Sequence, residues 1–133
     1  TEIMVKSAIK YLYKDDIDNK EYKMNPQLTM GENLADIGGL SLSLKALIKH
    51  LKENNSSEDV ITASVRVFFK SWANVWKQNI NRERRIMLLN VDPHAPTDFR
   101  GNLVNHMDLF YNVFNIKETD SMYLPPEERM VMW

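Results

Sequence analysis

The stretch Gly31-Glu32-Asn33-Leu34-Ala35-Asp36-Ile37-Gly38-Gly39-Leu40 decides how the rest of the chain is interpreted. It places two carboxylates, Glu32 and Asp36, four residues apart at the start of an apolar pattern with helical spacing. Residues at this spacing share one helix face, where two unpaired negative charges repel by about 0.2–0.5 kcal/mol. A nearby cation, such as a metal ion with its histidine ligands, would reverse that effect. Alternatively, both side chains simply face water, since the helix dipole favours acidic residues in a first turn.

A second informative stretch is Asn90-Val91-Asp92-Pro93-His94-Ala95-Pro96-Thr97-Asp98-Phe99-Arg100. Prolines on both sides of His94 restrict the backbone and oppose helix formation, so they predict a stiff loop that holds the imidazole. A single histidine on a loop is most often just exposed to solvent, and this pattern alone leaves its role open.

The N-terminal half is predicted to contain two helices. Residues 2–13 form the first, docked through an apolar stripe of Val5, Ala8, Ile9 and Leu12. The charged residues 14–23 are predicted to be a solvated loop, and Pro26 predicts an extended or turned lead-in to the first motif. The second helix then runs from the motif to about Lys52. Gly38 and Gly39 lie inside this helix and destabilise it by about 1 kcal/mol each relative to alanine. Glycines at such positions indicate that another backbone or a cofactor-bearing element approaches the helix closely there.

The C-terminal half is also predicted to be helical. Ser56 followed by Asp59 is a plausible helix start. The next helix carries an apolar stripe predicted to be core: Ile61, Val65, Phe68, Phe69, Trp72, Val75 and Trp76. Residues 82–89 are predicted to form a short helix with a solvated basic face. Asn105 could cap a helix bearing Met107, Phe110, Val113 and Phe114, and residues 123–129 begin a last turn.

Composition limits the possible classes of protein. A chain of 133 residues with 44% hydrophobic content is long enough for one domain with its own core. Its 17 basic and 18 acidic residues give no indication of a nucleic-acid partner or a membrane surface. The absence of cysteine excludes disulfides and thiolate metal sites. No apolar run approaches the roughly 18 residues of a membrane span. The start at Thr1, without an initiator methionine or signal peptide, suggests a piece of a longer protein.

Three segments resemble the neprilysin and endothelin-converting-enzyme family of zinc metallopeptidases. Residues 31–40, GENLADIGGL, are similar to its zinc-binding segment, Gly-Glu-Asn-Ile-Ala-Asp-x-Gly-Gly-Leu. Residues 68–76, FFKSWANVW, resemble its Phe-Phe-x-x-(Trp/Phe)-Ala-x-Val-Trp segment. Residues 92–100 resemble its Asp-x-His-(Ala/Ser)-Pro-x-x-Phe-Arg signature. The resemblance runs from about Asn25 to the terminal Trp133, with the segments in the family's order.

The resemblance implies a role for each candidate site residue. Glu32 would be a zinc ligand, and Asp36 would hold a zinc-ligating histidine from outside the coordination sphere. His94 would donate a hydrogen bond to the oxyanion that forms at the scissile carbonyl, and Asp92 would orient the His94 ring. Arg100 would grip a carbonyl of the bound peptide.

One family motif is absent. The family's His-Glu-x-x-His helix supplies two zinc ligands and the general base, but the only histidines here are His50, His94 and His106. A catalytic zinc ion needs three protein ligands, so residues 1–133 are expected to be a single partial domain whose other half lies upstream of Thr1. The implied fold is mainly α, the helical C-terminal part of a thermolysin-like (zincin) catalytic domain.

The implied function is zinc-dependent endopeptidase activity on oligopeptides, through a zinc-activated water at one zinc ion. The expected partners are peptide substrates and the N-terminal remainder of the same polypeptide, without nucleic acid or a membrane contact from this segment. The fragment alone is expected to be inactive. Lys77 and Met130 stand where animal members carry cysteines, which favours a prokaryotic member. The family favours a secreted or periplasmic location, and a cytoplasmic one stays open.

Two other classes fit parts of the pattern. A non-catalytic helical interaction module would show the same apolar stripes, and a parent protein without His-Glu-x-x-His would favour it. A self-contained metal-binding domain using Glu32, His94 and His106 is the other, although no pair of these residues has metal-site spacing. Zinc titration of the fragment would separate these alternatives.

Overall fold

The computed structural model describes residues 1–132, so the terminal tryptophan of the resemblance, Trp133, lies outside the described residues. The elements are, in order, α1 (Glu2–Lys10), β1 (Leu12–Lys14), β2 (Glu21–Lys23), α2 (Pro26–Glu53), α3 (Glu58–Val75), α4 (Arg82–Val91), α5 (Thr97–Asn102) and α6 (Asp108–Phe114). Short 3-10 turns cover Leu103–His106 and Pro126–Glu128. The predominance of helix confirms the predicted mainly α class.

Helix α2 begins before the first motif. The Asn25 side chain caps it by accepting the backbone N–H groups of Gln27 and Leu28, both at 3.1 Å, and Pro26 occupies the first helical position. The prediction of an extended or turned lead-in therefore holds only up to Asn25, whose backbone is extended, and is wrong from Pro26 onwards. Because the helix starts at Pro26, Glu32 and Asp36 lie beyond its first turn, where the helix dipole has little effect. The dipole therefore does not explain this pair of carboxylates.

The core lies between α2, α3 and α6. Ile37 and Leu40 of α2 are almost fully buried, as are Val65 and Phe69 of α3. The Phe69 ring meets the Phe110 ring of α6 edge to face, with centroids 5.7 Å apart. The predicted core stripe of α3 is confirmed at Ile61, Val65 and Phe69. It is wrong at Val75, which is 71% exposed, and Phe68, Trp72 and Trp76 are half-buried.

The N-terminal segment differs from its prediction. Helix α1 ends at Lys10, and β1 pairs antiparallel with β2, with Tyr13 opposite Tyr22. Met4 and Ala8 are the buried residues of α1, whereas Ile9 and Leu12 are exposed. The predicted stripe was wrong at Leu12 because strand pairing ends the helix before its spacing extends there, and it was wrong at Ile9, which lies inside α1 but on its exposed side.

The predicted solvated loop at residues 14–23 is exposed at most positions, but its Asp15 and Asp18 form a charged clamp with Arg82. Asp15 is 1% exposed and accepts hydrogen bonds from the Arg82 Nε and the Asp18 backbone N–H, each at 2.8 Å. Arg82 also bonds the Asp18 carboxylate at 2.8 Å. The Arg82 guanidinium holds the pKa of the Asp15 carboxyl well below its usual range. The clamp joins the β-hairpin to the start of α4.

In the basic cluster of α4, Arg82 and Arg85 do not belong to the solvated face that was predicted, whereas Arg84 is exposed as predicted. Arg85 bonds the Asp98 carboxylate at 2.8 Å and the Tyr11 hydroxyl at 2.9 Å. Its guanidinium also lies 4.1 Å from the centroid of the Tyr13 ring. Arg82 and Arg85 together therefore fix α4, and with it the loop that follows.

Several helix ends were also predicted one or more residues away from their observed positions. Ser57, not Ser56, caps α3 and accepts the Val60 backbone N–H at 3.3 Å. Asn105 does not cap α6, which begins at Asp108; the Asn105 carbonyl instead accepts the Tyr111 hydroxyl at 2.6 Å.

At Gly39, a Cβ atom in place of the hydrogen would meet nothing within 4 Å among the described residues. The expected close approach is therefore not found there.

His106 anchors the C-terminal segment. The imidazole is 3% exposed, and its Nδ1 accepts the Met130 backbone N–H at 3.0 Å. Burial lowers the pKa of His106 to about 4. The ring is therefore neutral at neutral pH and serves as a structural acceptor.

Candidate active site

Helix α2 and the loop at residues 92–96 bring the two motifs together. The Oε2 atom of Glu32 lies 3.4 Å from Nε2 of His94. Further along the same helix, Asp36 accepts two hydrogen bonds from Arg100, at 2.6 Å from Nε and 2.7 Å from a terminal nitrogen. The four side chains predicted from separate stretches of sequence therefore meet along one face of α2.

Asp92 fixes both the backbone and the ring of His94. It ends α4, and its Oδ1 accepts the His94 backbone N–H at 2.8 Å and lies 2.9 Å from the ring Nδ1. The pKa of Asp92 lies below its ordinary value, first because its carboxylate accepts that backbone N–H. With Nδ1 bound to Asp92, the other ring nitrogen is directed towards Glu32. Asp92 is thus placed where it can orient the imidazole.

Arg100 is held on three sides. Its guanidinium pairs with Asp36, and the two side chains are only 15% and 12% exposed. It also lies over the Trp76 ring, 3.9 Å from the centroid, and the Trp72 indole N–H donates to the Arg100 carbonyl at 2.9 Å. Sequence reasoning missed these two tryptophans as site residues because their helical spacing is the same as that of core residues.

The Asp36 carboxylate has hydrogen-bonding capacity beyond its pairing with Arg100. A carboxylate offers about four lone-pair sites, and Arg100 takes one on each oxygen. Each oxygen can therefore accept a further N–H, such as that of a histidine on a neighbouring segment. The pairing of Asp36 with Arg100 was not predicted, since the resemblance assigns the two residues separate roles.

Glu32 is suited to contribute one carboxylate ligand to a metal ion. Its side chain is 45% exposed, and its ion-pair contact is with His94 and not with a lysine or arginine. Zinc accepts a carboxylate oxygen alongside histidine nitrogens. Among residues 1–132, no group of three or more His, Asp or Glu side chains could hold a metal. The self-contained site of Glu32, His94 and His106 is therefore not supported, and the residues fit a contribution to a larger site.

A cavity of about 400 Å³ lies beside His94 and Arg100. Its apolar wall includes Leu88 and Leu89 of α4 and Pro96 of the loop, and Arg84 also lines it. The candidate site therefore includes an open recess next to its polar groups.

Comparison with known proteins identifies the family of this chain. Residues 5–130 match peptidase family M13. A neutral endopeptidase of Lactococcus lactis subsp. lactis is 33% identical over 120 residues, which are 90% of this chain and 18% of that protein. Human neprilysin is 29% identical over 110 residues, which are 79% of this chain and 14% of that protein. The chain thus spans less than a fifth of the length of these relatives.

A solved structure shows the same fold. The cryo-EM structure of the Mycobacterium tuberculosis zinc metalloprotease Zmp1 in its open state superimposes with a TM-score of 0.88 at 30% identity. The match covers 99% of this chain and 21% of that one. This confirms the predicted helical part of a thermolysin-like zincin catalytic domain. In residues 1–132, no helix has the length and apolar character needed to cross a membrane. The chain belongs to peptidase family M13, as its three motif segments indicated.

Proposed function

We propose that this chain is the C-terminal part of the catalytic domain of a zinc-dependent endopeptidase that cleaves oligopeptides. The observation that carries the proposal is the meeting of Glu32 with His94, and of Asp36 with Arg100, on one face of α2. A bound zinc ion would polarise the peptide carbonyl and lower the pKa of its water. The chain's own residues would bind and orient the groups around that ion.

Glu32 and Asp36 would act on the metal side. Glu32 supplies a carboxylate ligand from a rigid helix, and Asp36 accepts the N–H of a zinc-ligating histidine. Fixing a ligand's orientation in this way typically affects metal affinity or activity about 10–100-fold. The exposure of Glu32 supports its role as a ligand, and the remaining acceptor capacity of Asp36 supports its role in holding a histidine.

His94 would act on the oxyanion. Its Nε2 faces the site while Nδ1 stays bound to Asp92. To donate from both nitrogens at once, the ring must be doubly protonated. Such a donor stabilises charge that develops only in the transition state, so it accelerates the chemical step.

Arg100 would hold a carbonyl of the bound peptide. Its Nε and one terminal nitrogen are committed to Asp36. A guanidinium has five N–H donors, so donors remain for a substrate carbonyl. The Trp76 ring against the guanidinium limits its motion, which reduces the entropy lost when the peptide binds.

The rest of the site would come from a longer polypeptide. We place the His-Glu-x-x-His helix, with two zinc ligands and the general base, upstream of Thr1. Residues 1–133 alone would then bind zinc weakly and cleave no peptide. Sub-micromolar zinc affinity at one site of the pure fragment, or metal-dependent cleavage by it, would contradict this. A secreted or periplasmic location of the full-length protein stays a prediction that cell fractionation can check.

Kinetics of the full-length enzyme on one peptide test the assigned roles. We expect His94→Phe to lower kcat about 100- to 1,000-fold with little change in KM, as for other oxyanion donors. Arg100→Met should chiefly raise KM, because its bond is made in ground state and transition state alike. Zinc content should stay normal in both variants.

The exposed His50 offers a matched control, and His50→Phe should leave both constants unchanged. If His94→Phe only raises KM, or either site variant loses the metal, the assigned roles are wrong. If the full-length protein shows no cleavage that a chelator abolishes and zinc restores, the non-catalytic helical module becomes the better account.

A further inference from the structure

The cavity beside His94 and Arg100 contains a charged side chain that the proposed function does not use. Its volume of about 400 Å³ falls in the range of roughly 300–1,000 Å³ that is typical of small-ligand sites. Apolar side chains, including Ile80, Leu88 and Leu89, line it together with Arg84 of α4. It shares His94 and Arg100 with the candidate site, so a peptide held there would have this cavity next to it.

The other charges around the cavity are already paired. Arg85 bonds Asp98 at 2.8 Å, Asp92 binds His94, and Arg100 binds Asp36. The cavity's two carboxylates, those of Asp92 and Asp98, are therefore each hydrogen-bonded to a neighbouring side chain.

Arg84 is different from these groups. Its backbone N–H is bound by the Asn81 side chain at 2.9 Å, which fixes the first turn of α4 and hence the base of the side chain. Its guanidinium is exposed and forms no hydrogen bond or ion pair with any of residues 1–132. The cavity thus has one positive charge without a partner in the part of the chain that the structure describes.

We propose that Arg84 makes this cavity a substrate subsite that selects a carboxylate, either an acidic side chain or the C-terminal carboxylate of the bound peptide. The inference rests on the proposed function, since it needs His94 and Arg100 to hold the peptide at the cavity's edge. A guanidinium fork matches a carboxylate with two parallel hydrogen bonds. The apolar wall accommodates the methylene groups of an acidic residue.

The test uses the full-length enzyme and sets of peptides that differ at one position. Each position flanking the scissile bond carries Glu, Gln or Lys in turn, and a second arm compares free-acid with amidated C-termini. Wild type is compared with Arg84→Gln and Arg84→Glu. Lys70→Gln, an exposed cation of α3 that does not line the cavity, is the matched control.

Arg84→Gln should lower kcat/KM about two- to fivefold for Glu at one position, or for free-acid peptides, as expected for a solvated charge pair. The corresponding Gln or amidated peptide should be cleaved at an unchanged rate, which also shows that the variant is folded. Arg84→Glu should reverse the preference towards Lys, and the selectivity of wild type should weaken at high salt. An effect in the first arm identifies an acidic side chain as the group that Arg84 binds, and an effect in the second arm identifies the C-terminal carboxylate.

Unchanged selectivity in both arms would overturn the proposal. An equal loss on all peptides would also overturn it, because Arg84 would then have a structural role. Failure of the proposed function gives a different result, namely no chelator-sensitive cleavage by wild type.

Discussion

The Asp36–Arg100 pair joins segments 64 residues apart and should act as one unit in the full-length enzyme. The two hydrogen bonds, at 2.6 and 2.7 Å, join side chains that are 12% and 15% exposed. A single hydrogen bond to a charged group contributes about 1.5–3 kcal/mol. Asp36→Asn keeps the shape but removes the charge and one acceptor. We therefore expect Asp36→Asn to release Arg100. At saturating zinc, the resulting fall in kcat/KM should correspond to a loss of about 2–3 kcal/mol of transition-state stabilisation.

A double-mutant cycle on kcat/KM measures this coupling. Arg100→Met alone should have a similar effect, and the double variant should lose little more than either single one. The coupling energy would then be about 1–3 kcal/mol. Saturating zinc matters because Asp36→Asn should also weaken zinc binding about 10–100-fold.

Asp59→Asn is the matched control, since Asp59 is an exposed carboxylate in the first turn of α3. Its effect should add to that of Arg100→Met. If the effects of Asp36→Asn and Arg100→Met on kcat/KM are also additive to within about 0.5 kcal/mol, Asp36 does not position Arg100.

Three further predictions concern groups that hold the site's framework. Burial lowers the pKa of His106 to about 4 in the folded chain, whereas the pKa of an unfolded histidine is about 6.5. Between pH 4 and pH 6.5 the unfolded 133-residue chain therefore binds more protons than the folded chain. Its free energy of unfolding should then fall by up to roughly 3 kcal/mol from pH 6.5 to pH 4, and His106→Gln should flatten this dependence in urea titrations. Arg82→Met should destabilise the chain by about 3 kcal/mol, since it leaves the buried Asp15 unpaired, whereas Arg84→Met should change stability little; equal effects would contradict this. Trp72→Phe removes the N–H that binds the Arg100 carbonyl and should raise KM about two- to tenfold with kcat unchanged, whereas a fall in kcat alone would show a different role.

Sequence was most informative where a motif is short and its chemistry specific. Glu32 and Asp36 could be placed on one helix face from their spacing alone, and the resemblance assigned separate site roles to them and to His94 and Arg100. The apolar period of α3 predicted Ile61 and Phe69 correctly as core, because burial follows directly from periodicity.

Pairings between distant segments could not be predicted in this way. Asp15 and Arg82 are 67 residues apart, and no local pattern shows that a charged loop residue will be buried by an arginine of another helix. The end of α1 depends on the pairing of Tyr13 with Tyr22, which overrides a helical period. The early start of α2 was the exception, since Asn25-Pro26 is a cap followed by a first-turn proline and could have been recognised.

Zinc binding by the full-length enzyme decides whether Glu32 is a zinc ligand. We would dialyse the wild type, Glu32→Gln and the control Glu53→Gln, and then measure their bound zinc and their zinc affinity. Glu53 is an exposed carboxylate at the end of the same helix. We predict that wild type and Glu53→Gln each retain one zinc ion per chain. Glu32→Gln should lose zinc, with a larger drop in affinity than Asp36→Asn. Stoichiometric zinc of unchanged affinity in Glu32→Gln would mean that Glu32 does not bind the metal.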